Sequence, residues 1–118
     1  MTSSPIADII AIADMGALLV ITTLPDGDHA VKLAEALVEQ QLAACAHVFS
    51  AGISVYRWQG QIHKENEVSV LFKTTLMRYA ELEAAIKRLH PYDVPEIIAF
   101  PITQGLPAYL KWIIDETT

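Results

Sequence analysis

An α+β domain built around one antiparallel sheet is predicted by three features of this sequence. Two separated segments carry apolar residues at helical spacing: Ala30, Leu33, Ala34, Leu37 and Val38, then Tyr79, Leu82, Ile86 and Leu89. The stretch between them changes to the alternating pattern of strands. The chain has 118 residues, 53% of them hydrophobic, which suits a single core and one domain.

Ile6, Ile9, Ile10 and Ala13 fall on one helical face, which predicts a short helix over 6–14 within an N-terminal extension, 1–16. The remainder, 17–118, forms the domain. Ala17 to Thr23 is a continuous apolar, β-branched run that suits a strand buried on both faces. Pro25-Asp26-Gly27-Asp28 makes a turn in which Asp26 or Asp28 caps a helix over 28–41. Ile53, Val55 and Arg57 then alternate with Ser54, Tyr56 and Trp58. Past Gly60, Val68, Val70 and Phe72 alternate with Glu67, Ser69, Leu71 and Lys73. These runs predict a long β-hairpin with arms over 45–59 and 61–75. A second helix, 77–89, stops before His90-Pro91, because the residue before proline avoids the helical region. Ile97 to Ile102 is a last strand, and Pro101 within it marks a sheet edge or a bulge. Leu106-Pro107 opens a short C-terminal helix carrying Tyr109, Leu110 and Ile113. This order, β-α-β-β-α-β plus a helix, is that of a ferredoxin-like sandwich, whose two helices cover one sheet face and leave the other open. Tyr56 and Trp58 lie opposite Ile53 and Val55, so both hairpin faces carry apolar surface. That predicts burial against another subunit.

Composition excludes several classes of function. Intrinsic disorder is excluded by the apolar content. A membrane-spanning helix needs roughly 18 consecutive apolar residues, and runs such as Ala17 to Ile21 are far shorter. Cys45 is the only cysteine, so no disulfide framework exists within the chain. Eight Lys plus Arg against fourteen Asp plus Glu give a net charge of -6. This argues against nucleic acid and against an anionic membrane as partners, and leaves cation binding open. The first basic residue is Lys32, so the N-terminus lacks the basic region of a secretory signal. With a free thiol suited to a reducing compartment, the expectation is a cytoplasmic protein. There is no glycine-rich phosphate loop, no CxxC and no HExxH, and no local motif orients a base toward Cys45. An enzyme is therefore not expected.

Five motifs follow one another along the chain. Leu42-Ala43-Ala44-Cys45 follows the first helix, and Ser54-x-Tyr56-x-Trp58-x-Gly60 closes the hairpin. Glu65-x-Glu67 and Lys73-Thr74 lie on the third strand. His90-Pro91-Tyr92-x-x-Pro95-Glu96-Ile97 leads into the last strand, and Tyr109-x-x-Trp112 lies in the final helix. In this order and spacing, over residues 18–114, the chain resembles the CutA family, the divalent cation tolerance proteins. The resemblance implies a ferredoxin-like fold and a compact homotrimer whose hairpins pair between subunits. It also implies an architecture similar to the PII signalling proteins. Its further implications are a link to tolerance of copper and other divalent cations, with copper bound by some members, and no established enzyme activity. In some bacterial members the residues associated with copper are a cysteine after the first strand and two histidines before Pro-Tyr. Here those positions are Thr22, Leu89 and His90, so His90 alone is retained. Threonine is a poor copper ligand and leucine is none.

The candidate residues divide into two sets. His90 and Cys45 are the candidate ligands for copper or another divalent cation, which would not be required for folding. The alternatives are that His90 caps the end of the second helix and that Cys45 is a small core residue. Tyr56, Trp58, Glu67, Lys73, Tyr92 and Glu96 are candidates for a cleft between subunits, which would take a small anionic or polar ligand in a PII-like sensor or adaptor. As aromatics, Tyr56, Trp58 and Tyr92 also suit interface packing. Lys73 sits in an apolar strand and needs a partner, and the expectation is a carboxylate such as Glu67 or Glu96 at a cleft between subunits. His63, Glu65 and Glu67 share one strand face, where they either bind a divalent cation or form a solvated surface.

Overall fold

A computed structural model describes residues 16–118. The helix expected over 6–14 lies outside the described residues. The domain is a five-stranded antiparallel sheet with helices on both sides. Strand β1 (Ala17–Leu24) leads into helix α1 (Gly27–Glu39), followed by β2 (Cys45–Val48), β3 (Gly52–Trp58) and β4 (Gln61–Thr75). Helix α2 (Leu76–Leu89), β5 (Ile98–Pro101) and α3 (Pro107–Glu116) complete the chain. The sheet order is β2-β4-β1-β5, with β3 paired along the outer half of β4. This is the expected α+β, ferredoxin-like arrangement.

The local chemistry explains the elements. Asp26 caps α1 by accepting the His29 backbone N–H at 2.8 Å, and that bond holds its carboxyl below the usual carboxylate range. Ala30, Leu33, Ala34 and Leu37 turn the buried stripe of α1 to the sheet. Helix α2 contributes Leu82, Ala85 and Ile86, and Lys87 and Arg88 face the negative end of its dipole. Even-numbered residues of β1 and β4 (Leu18, Val20, Leu24, Val68, Val70, Phe72) meet both helices in the main core. The odd-numbered residues face the other way. There α3 covers one end of the sheet, packing Leu110 and Ile113 on Ala17 and Ala44. Among the described residues nothing covers the rest of that face: Leu19, Ile21 and Leu71 are half-buried, and Ile98 and Phe100 of β5 are 45% and 46% exposed. The full burial expected for both faces of β1 is thus met on one side only. Proline at the edge is confirmed, since β5 pairs with β1 alone.

The first arm of the hairpin departs from the unbroken strand expected over 45–59. Residues of β2 pair with β4 in the register Val48↔Val70, whereas β3 resumes at Gly52↔Glu67. Three residues, 49–51, therefore oppose two, 68–69: the arm carries a β-bulge. The single extra residue reverses which side chains share a face. Cys45 and His47 point with Lys73 and Leu71, but beyond the bulge the even residues Ser54 and Tyr56 point with Glu65 and His63. At the tip, Gln59 and Gly60 both have positive φ, 50° and 77°, as a two-residue type I′ turn requires. The hairpin projects far from the core: the molecule measures 60 × 26 × 24 Å. Its radius of gyration is 16.2 Å, against about 13 Å for a compact domain of this size.

One buried group is out of keeping with its surroundings. Thr22 is fully buried, and its hydroxyl has no hydrogen-bond partner among the described residues. An unpaired buried hydroxyl costs about 1–3 kcal/mol. Thr22→Val keeps the β-branched shape and removes that cost, so it is expected to raise stability by about 1 kcal/mol. A urea titration that shows Thr22→Val less stable than the wild type would contradict this.

Candidate functional site

A groove of about 660 Å³ lies between the outer half of the hairpin and the loop that joins α2 to β5. The hairpin wall is Ser54, Val55, Tyr56, Trp58, Glu65 and Glu67; the loop wall is Tyr92, Asp93, Val94 and Glu96, with Thr23 of β1 between them. The bulge at 49–51 builds this wall, because it turns Tyr56 and Trp58 to the side that Glu65 and Glu67 occupy. The Tyr92 hydroxyl bridges the two walls by donating to Glu67 Oε2 at 3.0 Å. Partial burial, followed by this carboxylate contact, pushes the Tyr92 phenol up to about 12, so it stays a donor at any physiological pH. Tyr56 stacks on His63 with centroids 5.3 Å apart.

His90 stands behind this groove and orients it. Its Nδ1 accepts the Tyr92 backbone N–H at 3.1 Å, and its Nε2 lies 2.7 Å from the Thr23 carbonyl oxygen. An accepting Nδ1 places the proton on Nε2, which donates to Thr23. Thr23 lies beyond the reach of β5, whose pairing with β1 ends at Ile21↔Ile98. The imidazole thus serves the stretch of β1 that β5 does not cover. Burial holds His90 below its ordinary value and favours this neutral ring. His90 is the C-cap of α2, the position one of its two alternative readings gave it, and it serves there as a hydrogen-bonding ring.

Lys73 and Cys45 form a separate cluster on the open sheet face. The Lys73 ammonium donates to the Tyr109 hydroxyl at 3.0 Å, and the Cys45 thiol lies 3.9 Å from the same oxygen. The Tyr109 bond comes first among the causes that raise the Lys73 pKa. Within this chain Lys73 meets Tyr109 and neither Glu67 nor Glu96, the carboxylates expected to pair with it at a cleft between subunits. Lys73 and Glu67 are six positions apart on β4, about 20 Å along a strand.

These positions decide how the expected sets come together. Tyr56, Trp58, Glu67, Tyr92 and Glu96 line one groove, and Lys73 is not part of it. His90 and Cys45 belong to different clusters, and both His90 ring nitrogens are already engaged, so the pair does not fit a divalent cation. His63, Glu65 and Glu67 do share a face, with His63 stacked on Tyr56. Among the described residues, no group of three or more His, Cys, Asp or Glu side chains is placed to hold a metal ion. Sequence reasoning missed Ser54, Asp93, Val94 and Thr23. Ser54 shares the alternation of Tyr56 and Trp58 and was legible from it. Asp93 and Val94 lie in a loop with no periodicity to reveal them.

Comparison with known proteins places this architecture. Residues 18–116 match the family described as CutA1 divalent ion tolerance protein. The divalent-cation tolerance protein CutA of Thermus thermophilus is 42% identical over 99 residues, covering 84% of this chain and 96% of its own length. A CutA homolog of Xenopus laevis is 40% identical, and the match spans only 62% of that longer protein. The solved structure of CutA from Xylella fastidiosa superposes with a TM-score of 0.84 at 37% identity, covering 86% of this chain and 98% of that one. The cytoplasmic expectation is corrected by two further relatives. CutA of Archaeoglobus fulgidus, 32% identical, is described as periplasmic, and that of Arabidopsis thaliana, 36% identical, as chloroplastic. A lone free thiol and a late first lysine do not fix the compartment of this fold. With the family pattern running from β1 through α3, the chain belongs to the CutA1 divalent ion tolerance family.

Proposed function

We propose that this protein assembles as a homotrimer and serves divalent-cation tolerance as a PII-like sensor or adaptor, taking a small ligand in the groove beside Tyr56, Glu67 and Tyr92. It is a binding protein and not an enzyme. The observation that carries this reading is the open sheet face. Leu19, Ile21, Leu71, Ile98 and Phe100 form one apolar surface, flanked by the exposed edge strand β5 and the projecting hairpin. Such a surface with an unpaired strand at its side is stable in water when another copy covers it. The number three comes from the family resemblance. A copper site made by His90 with Cys45 is the less favoured reading, because the His90 nitrogens are occupied and Cys45 lies in a different cluster.

Native mass spectrometry of the metal-free protein, repeated with a small excess of Cu(II) or Zn(II), tests the reading. A mass of three chains is expected, and Phe100→Glu is expected to give single chains by burying charge at the centre of the contact. A monomeric wild type would overturn the assembly. Stoichiometric metal uptake that disappears in His90→Ala would restore the metal-binding reading.

A further inference from the structure

We propose that the N-terminal segment of this chain, residues 6–14, docks on its own domain. It lays the apolar stripe of Ile6, Ile9, Ile10 and Ala13 on a second groove, between the start of α2 and the end of α3, and brings Asp14 to the first turn of α2.

The groove has a volume of about 320 Å³, and Thr75, Met77 and Arg78 on one side face Ile114 and Thr117 on the other. Arg78 ties the two sides together. Its Nε donates to the Thr117 carbonyl oxygen at 2.6 Å, and its Nη1 donates to Glu81 at 3.3 Å. The groove is therefore preformed. Leu76 and Met77 at its rim are 66% and 83% exposed, a concentration of apolar surface at one helix end. No residue of the hairpin or of the open sheet face lines it, so it lies apart from the surface assigned to contact between copies.

The path of the chain names the occupant. The Leu76 N–H donates to the Gly16 carbonyl oxygen at 2.7 Å. Gly16 has φ of 70°, and a Cβ there would stand 2.9 Å from the Leu76 Cβ. The chain is thus pressed against α2 at the point where residues 1–15 join it. Ile10 is six positions from Gly16, at most about 20 Å of extended chain, and a helix over 6–14 is about 13 Å long. So short a tether keeps the stripe at high effective concentration beside the groove, and a modest apolar match is then enough to fill it.

Charge supplies an independent argument. The first turn of α2 contains no acidic residue, and Thr75 at its N-cap makes no side-chain capping bond. The Arg78 guanidinium has donors to spare beyond its two partners. Asp14, two residues before Gly16, is the carboxylate that complements both the helix end and Arg78. Asp8 falls on the helical face opposite the stripe, where it stays in water.

Hydrogen exchange of the full-length protein, read by mass spectrometry, is the test. The first amides of α2 lack intrahelical partners and exchange fast unless something covers them. Protection is expected there and in the last turn of α3. The double variant Ile9→Asp, Ile10→Asp is expected to speed exchange at both places about tenfold. Ala11→Asp, on the opposite helical face, should leave it unchanged, and the amides of α1 report that the domain stays folded. Met77→Glu changes the groove instead of the segment. It is expected to give the same acceleration alone and none beyond it when combined with the double variant, because both remove one contact. Equal exchange in the wild type and these variants overturns the proposal, and so does acceleration that adds in the combination. Native mass spectrometry separates the other occupant. If the double variant changes the number of chains in the assembly, the segment belongs to a contact between copies, and docking within the chain fails.

Discussion

Phe72→Ala is expected to lower the unfolding free energy by about 3–5 kcal/mol. Phe72 is fully buried at the centre of the main core, on the strand that pairs with both β1 and β2. Its register partners are Val20 and Ala46, and the helices above it bring Leu33, Leu37, Leu82 and Ile86 into the same cluster. Removing the ring loses its transfer free energy and leaves a void that two helices and a sheet cannot collapse around. Domains of this kind have only about 5–15 kcal/mol in total, so the variant should sit near the edge of folding. Urea denaturation at one fixed protein concentration checks this, since the proposed assembly would make apparent stability concentration-dependent. Val94→Ala, at a position 74% exposed, is the control and should change stability by less than about 0.5 kcal/mol. A Phe72→Ala loss no larger than the control's would mean that the core lies elsewhere.

His90→Ala is expected to cost about 2–4 kcal/mol near neutral pH, because it strands two polar groups at once, the Thr23 carbonyl and the Tyr92 N–H. The cost should depend on pH. Burial lowers the His90 value below its ordinary 6.5, with Glu67 and the Thr23 carbonyl opposing and His29 reinforcing the shift. Above pH 6.5 the ring is neutral in both folded and unfolded chains, and its full contribution is present. As pH falls below that point the unfolded chain takes up a proton that the folded chain resists. Stability then declines until pH has passed through the lowered folded value. Protonation at Nδ1 also removes the acceptor that holds the Tyr92 N–H. The gap between wild type and His90→Ala should therefore narrow between neutrality and about pH 5. A gap that stays constant over that range would show that the ring acts by packing alone.

Much of the fold was legible because periodicity reports burial directly. The alternation of Val68, Val70 and Phe72 and the stripe of Ala30, Leu33, Ala34 and Leu37 each name one face, and those faces form the core. The departures have a common physical cause: they depend on one residue more or less, or on partners far away in sequence. The extra residue at 49–51 leaves no mark in composition, since Phe49, Ser50 and Ala51 all suit a strand. Tyr56, Trp58, Glu67, Tyr92 and Glu96, singled out from the motifs, line one groove of the chain. Lys73 was grouped with these residues as a buried-looking cation in need of a partner; within the chain it bonds Tyr109, 36 positions away on a helix that crosses the opposite end of the sheet. The His90 case is similar. A histidine before Pro-Tyr looks like a ligand until both of its nitrogens are seen to be used by the backbone.

Strand β4 has a consequence for how the molecule breathes. Its 15 residues run about 50 Å, and the burial changes abruptly part-way along. From Val68 to Thr75 it is flanked by β1 on one side and β2 on the other, under two helices. From Gln61 to Glu67 its neighbour is β3, and the side chains there are exposed or half-buried. In an isolated chain the amides of a single strand would therefore keep two clocks. Deuterium would enter the outer half by local fraying, while the inner half would wait for global unfolding. Assembly would bring the two clocks together, because the outer half would then open only when the subunits part.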